Sequence, residues 1–122
     1  MEQQDDDKHG LKEWKRRLNE CNGCIFYVVD ANDQIVGFVF VHDHATMVKT
    51  THIWIAGTLP SARRKGVMKS LFEHCHSVYA NQDRITVNTF PTRFPNMPFF
   101  LASMNYKLTS MQADKHLYHK QL

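Results

Sequence analysis

Residues 51–72 read THIWIAGTLPSARRKGVMKSLF: an apolar, strand-like run, a turn around Pro60, the cations Arg63, Arg64 and Lys65, then Gly66 and a helical pattern. Strand, basic turn and helix in that order build an anion site, because the first turn of a helix leaves its N–H groups unpaired and carries about half a positive charge. Gly66 lets backbone come close to a diphosphate, with the amides of residues 63–69 directed at its oxygens. Two familiar phosphate loops do not fit. The G-x-x-x-x-G-K-[ST] loop fails on the spacing of Gly57 and Gly66, and G-x-G-x-x-G fails because Gly66 has no glycine partner close by. A cationic triplet before a helix is by itself an ordinary solvated turn. What points to a ligand is the order of the elements around it.

Upstream, alternation predicts strands over 23–30 and 35–42 joined by a turn at 31–34, then a polar bend over 42–49. A third strand over 50–59 is nearly all apolar, which suits burial on both faces, and Gly57 within it marks a bulge or a close backbone approach. Leu11, Trp14, Leu18 and Cys21 recur at helical spacing, so 11–21 reads as an amphipathic helix that covers the sheet with its basic residues outward. Downstream, a helix runs from about residue 66 to 79 with Val67, Leu71, Cys75 and Val78 inward, and Met68 is expected to turn in beside Leu71 and Phe72. Residues 84–90 alternate as a strand, and Pro91, Pro95 and Pro98 then break the chain before a short helix over roughly 96–104. Asn105 takes a left-handed cap, and 106–111 with 116–122 form a last hairpin turned by 112–114. The order α-β-β-β-α-β-α-β-β predicts an α+β fold: a mixed, mainly antiparallel sheet with helices on both faces.

The 122 residues suit one domain over 10–122, preceded at 1–9 (MEQQDDDKH) by an acidic, disordered tail. A net charge of +3 with both signs interspersed argues against a nucleic-acid partner. No apolar run is long enough for a membrane span, and the first twenty residues are charged where a signal peptide is apolar, which predicts a cytoplasmic protein with no membrane partner. Three cysteines cannot all pair, in keeping with a reducing compartment. Cys21 and Cys24 flank an Asn22-Gly23 turn at a helix end, where neither a zinc site nor a redox motif is expected. Among the eight histidines, His74 and His76 point to different faces of a helix, and His42 and His44 share a strand face without an acidic or cysteine partner fixed by spacing. No metal is predicted.

Thr58-x-Pro60-x-x-Arg63-x-x-Gly66-x-Met68 resembles the acetyl-CoA loop of the GNAT N-acetyltransferase superfamily, V-x-P-x-x-[Q/R]-x-x-G-x-[G/A]. Arg63 and Gly66 match the signature, Pro60 matches its lead-in, and Met68 departs from it where a small residue is the rule. FFLASMNY at 99–106 is a second, looser match. The family closes this helix with an aromatic or apolar residue, three intervening residues and Gly-Phe, and Leu101, Asn105 and Tyr106 occupy those places. From Gly23 onward the element order is similar to the GNAT fold with its N-terminal portion shortened.

The resemblance implies acetyl-CoA as cofactor, its pantetheine arm lying between two splayed strands. Carried over residue by residue, it sets Ala56, Gly57 and Thr58 along the arm, Arg63, Arg64, Lys65, Gly66, Val67, Met68 and Lys69 around the diphosphate, and Asn88 near the arm's path. It implies acetyl transfer to a primary amine of a peptide, a protein or a small molecule. The alternative is a catalytically weak CoA-binding module, since the tyrosine acid of many members corresponds here to Leu101. One branch of the family uses a glutamate base eleven residues before the Q/R of the loop, and His52 stands at that offset. His52 is therefore the candidate general base, because imidazole titrates near neutrality; a structural strand-edge histidine is the competing reading. Tyr106 and Tyr118 remain as acid candidates. The short front end leaves a dimer open, and the sequence does not fix the oligomeric state.

Overall fold

Asp30 Oδ1 accepts hydrogen bonds from the amides of Asn32 (2.8 Å) and Gln34 (3.0 Å), closing a side-chain turn that folds the first two strands back on each other. The computed structural model describes residues 10–122, so the tail expected at 1–9 lies outside the described residues. Its elements are α1 (Leu11–Glu20), β1 (Cys24–Val29), β2 (Ile35–Asp43), β3 (Thr50–Thr58), a 3-10 turn (Pro60–Ala62), α2 (Val67–Val78), β4 (Arg84–Thr89), α3 (Met97–Ser103), β5 (Lys107–Gln112) and β6 (Lys115–Gln121). The strands form one sheet in the order β1-β2-β3-β4-β6-β5, antiparallel throughout except for the parallel pair β3-β4. This is the expected mixed, mainly antiparallel α+β sheet.

Alternation along the strands sends Val39, Val41, Ile53, Ile85 and Val87 to one face, where they pack on Leu71, Phe72 and Cys75 of α2 and on Leu101 of α3. Each such side chain stabilises the fold by roughly 1.5–3 kcal/mol. On the opposite face α1 docks through Trp14, whose ring lies 4.9 Å from Phe40, 5.9 Å from Phe38 and 6.0 Å from Trp54. Helices thus cover both faces.

Several local expectations hold for identifiable reasons. Asn105 is left-handed (φ 69°); its amide donates to Ala102 O (3.0 Å) and that of Tyr106 to Leu101 O (2.9 Å), the paired bonds of a Schellman cap. Asn22 (φ 54°) turns the chain out of α1 between Cys21 and Cys24, and the Gly23 amide donates to Arg17 O at 3.1 Å. A Cβ on Gly57 would stand 3.2 Å from a Phe38 ring carbon, so the close approach is real. The bulge falls elsewhere, at Trp54, between the pairs Phe40–Ile55 and Val41–Ile53.

Three expectations are corrected. The basic residues of α1 do not all face outward: Arg17 lies three residues after Trp14, hence on the docking stripe, and its guanidinium stacks 3.9 Å above the Trp54 ring. Leu11 and Leu18, assigned to that stripe, are exposed. Val78 is exposed too, because the buried stripe of α2 runs through Leu71, Phe72 and Cys75. β3 is well buried only in its first half; beyond Ile53 it parts from β4 and its flank opens.

Candidate active site

The loop after β3 is anchored at both ends. The Leu59 amide donates to Val36 O (2.9 Å), and Ala62 is buried beneath the 3-10 turn. At the far end, a Cβ on Gly37 would come within 2.5 Å of Val67 Cγ1, so glycine on β2 is what lets the first turn of α2 lie directly on the sheet. Met68 turns in against the core cluster, as expected. Between these anchors Arg64 (φ 63°) and Gly66 (φ 79°) are both left-handed. A Cβ on Gly66 would meet nothing within 4 Å, so the position needs glycine for its backbone angle and not for room.

The Arg63 amide donates to Pro60 O at 3.3 Å. Among the described residues the amides of 64–69 have no partner, and no side chain caps α2. Arg63, Arg64, Lys65 and Lys69 are exposed around them and form no ion pair among the described residues. The amides of 64–69 are therefore left without well-formed hydrogen bonds among the described residues, at the positive end of a helix.

β3 and β4 pair only from Thr50–Arg84 to Ile53–Val87. Beyond that the strands diverge, and a cavity of about 460 Å³ opens between them, lined mainly by apolar groups including Trp54, Ala56, Val87, Phe90 and Met97, with Asn88 at its wall and Arg93 beside it. Ala56 and Asn88 both line this cavity. Gly57 is not among the lining residues, since its free side is filled by the Phe38 ring. Thr58, at the loop end of β3, has a buried hydroxyl oxygen with no hydrogen-bond partner.

A second cavity, about 330 Å³, opens on the α1 face and is lined by Arg17, His42, His44, His52 and Lys115, with Asn88 shared between the two cavities. Its tautomers follow from the bonding. Arg17 has only donors, and its Nη1 lies 2.9 Å from His42 Nε2, so that nitrogen is unprotonated and His42 donates from Nδ1 to Asp43 O (2.7 Å). His44 Nδ1 accepts from the amides of Thr46 (3.1 Å) and Met47 (3.0 Å), which leaves the proton on Nε2. His52 Nδ1 lies 2.7 Å from Thr86 Oγ1, and its Nε2 has no partner among the described residues. Burial first, and then the neighbouring His42, His44, Arg17 and Lys115, push the His52 pKa down to about 3. Burial likewise lowers His42 and, with Arg84, His44. Hydrogen bonds from Arg16 and Arg17 pull Glu13 down to about 2.

The tyrosine acid candidates lie elsewhere. Tyr106 OH is 2.8 Å from His76 Nε2 within the core beneath α2, and Tyr118 belongs to the same core; neither lines a cavity. Among the described residues no group of three His, Cys, Asp or Glu could hold a metal ion, and no helix is long and apolar enough to cross a membrane. Sequence reasoning missed Arg17, His42, His44 and Lys115 as partners of His52. The signal was present in the hairpin register, which sets His42 directly across from His52.

The model of the Acetyltransferase (GNAT) family matches residues 1–106. No curated protein sequence matches the chain. Among solved structures, an acetyltransferase of the GNAT family from Staphylococcus aureus Mu50 aligns with a TM-score of 0.80 at 15% identity, covering 96% of this chain and 78% of its own. An acetyltransferase from Bacillus cereus aligns at 0.71 with 18% identity, covering 82% and 73%. The PaiA N-acetyltransferase from Thermoplasma acidophilum, solved in complex with coenzyme A, aligns at 0.72 with 13% identity, covering 94% and 71%. At these identities the likeness concerns the fold.

Proposed function

The chain belongs to the acetyltransferase (GNAT) family, and from that premise we propose that it is an acetyl-CoA-dependent N-acetyltransferase acting on a primary amine. The observation that carries the reading is the run of uncommitted amides over 64–69, at the head of α2 and beside an apolar cleft between splayed strands. Those amides, with Arg63, Arg64, Lys65, Gly66, Val67, Met68 and Lys69, suit a diphosphate. Ala56, the orphaned hydroxyl of Thr58 and Asn88 suit the polar amides of a pantetheine arm in an otherwise apolar cleft. When bound, acetyl-CoA supplies an acetyl group activated as a thioester.

The acceptor reaches the cleft from the second cavity, with Asn88 at the wall common to both. His52 acts as proton acceptor at Nε2, with Nδ1–H donating to Thr86 Oγ1, a hydroxyl that fixes the ring. A base with a pKa of about 3 is poorly matched to a free ammonium near 10.4, since that transfer is uphill by roughly 10 kcal/mol. The amine therefore enters neutral, and His52 takes the proton that its nitrogen sheds as the new N–C bond forms. The acyl C–S bond would break in the same transfer, with coenzyme A leaving as the thiolate, and the imidazolium, disfavoured by burial and by Arg17 and Lys115, would return its proton to that thiolate through solvent. The free thiols of Cys21, Cys24 and Cys75 support a reducing, cytoplasmic setting.

The test is thermal melting with and without acetyl-CoA, followed by thiol release with a panel of amines. A melting point raised by the cofactor together with turnover supports the reading. Stabilisation without turnover leaves a CoA-binding module, and no stabilisation removes the cofactor. His52→Ala should lower kcat by about 10²–10⁴-fold while the dissociation constant for acetyl-CoA stays unchanged; unchanged turnover removes His52 from the chemistry.

A further inference from the structure

The cavity beside His52 has a one-sided lining. Its 330 Å³ sits near the lower end of the roughly 300–1,000 Å³ range of small-molecule sites, and among the described residues no carboxylate lines it. Arg17 is held in place there: Nε donates to Glu13 Oε2 (2.8 Å), Nη1 to His42 (2.9 Å), and the guanidinium rests on Trp54 at 3.9 Å. Its Nη2 hydrogens have no partner among the described residues. Lys115, exposed at the start of β6, forms no ion pair among the described residues. His44 presents Nε2–H, since its Nδ1 is occupied by two amides.

Among the described residues, the carboxylates adjoining His42, Lys115 and Arg17 in sequence or by contact bond elsewhere. Asp43 accepts from Asn22 Nδ2 (2.7 Å), and Asp114, beside Lys115, accepts from the hydroxyl and amide of Thr92 (2.6 and 3.1 Å). Glu13 faces away into its pair with Arg16 and Arg17. A second cationic group on an acceptor would find donors and positive charge with no described residue to pair it, whereas an anion would find both.

We infer that the amine accepted here carries an anionic group, a carboxylate or a phosphate, seated between Arg17 and Lys115 in the cavity beside His52. The inference rests on the acetyl-transfer reading and narrows its substrate class to small amino acids in the broad sense. It also has a catalytic consequence. After burial, His42, His44, Arg17 and Lys115 disfavour protonation of His52, and an anion among them offsets that part of the effect, strengthening the base when the right acceptor is bound.

The test compares thiol release from acetyl-CoA with β-alanine, its amide, O-phosphoethanolamine and spermidine, each at equal concentration of neutral amine. One of the two anionic amines should exceed the amide by about tenfold or more in kcat/KM, with part of the gain in kcat, and which of them leads separates carboxylate from phosphate. Lys115→Gln, at an exposed strand end, should erase most of that preference; Arg17→Lys, which keeps the charge, should erase less than Arg17→Gln. Equal rates for the amide, or a preference for spermidine, overturn the inference. If no amine releases thiol, acetyl transfer itself has failed. Calorimetric titration of β-alanine and O-phosphoethanolamine then decides separately: binding that is lost in Lys115→Gln supports the anion site, and binding of neither, or of the amide equally, sinks it.

Discussion

Acidification should destabilise this protein well above the pH at which its carboxylates titrate, and His52 should account for a large part of the loss. In the folded state its pKa is about 3, against a value of 6.5 for a free side chain. Between those values the unfolded chain binds a proton that the native chain refuses, so stability rises with pH across that window and is lost as pH falls through it. At 1.36 kcal/mol per unit, going from pH 7 to pH 5 costs about 2 kcal/mol from this group alone. His42, His44 and His76 are shifted in the same direction and add to the slope. Glu13, titrating near 2, contributes only below its ordinary value of 4.5 and stays outside this range. The assay is urea unfolding at pH 7 and pH 5 for the native chain and for His52→Gln, which retains a group able to bond Thr86. The native chain should lose about 2 kcal/mol or more, equivalent to roughly 6–10 °C in melting temperature for a domain of this size, and the variant about 2 kcal/mol less than that. An identical pH dependence in both proteins would refute the burial argument for His52.

Gly66→Ala forces a side chain into the left-handed region at φ 79° with no clash to relieve. It should cost about 1–2 kcal/mol in stability, or relax the loop and weaken coenzyme A by an equivalent factor; calorimetry and melting together must register one or the other. Gly37→Ala places a methyl where Val67 Cγ1 already stands, so it should destabilise by about 1–3 kcal/mol and loosen cofactor binding through the head of α2. Adding Val67→Ala to it should recover most of both, and a double variant no better than the single one counts against this route. Asn105→Gly, at φ 69°, should stabilise by about 0.5–1 kcal/mol, read as a higher urea midpoint with the slope unchanged.

The features legible in the sequence were those whose cause is local. The hairpin turn at Asp30, the left-handed cap at Asn105 and the cationic loop ahead of α2 each follow from a few neighbouring residues, and each appears where expected. What escaped depends on contacts between distant segments. Arg17 looked like a solvated cation because a periodicity count scores charge as outward; only the stacking surface of Trp54 and the acceptor on His42 show why it turns in. The need for glycine at 37 comes from Val67, thirty residues on in a helix. Offset from the loop singled out His52, but its low basicity comes first from burial and then from four side chains contributed by other segments. The tyrosines were attractive by residue type alone, and core packing on the far face of the sheet placed them out of reach.

The brevity of the β3-β4 ladder also bears on mechanics. Within the sheet, two antiparallel leaflets, β1-β2-β3 and β4-β6-β5, meet along a seam of only four residue pairs, 50–53 against 84–87. Breathing of the empty protein would concentrate at that hinge, with amide hydrogens there exchanging by partial opening ahead of those in the flanking hairpins. A molecule wedged into the notch would act as a splint across both leaflets, so occupancy could be read from slowed exchange at residues that never touch it.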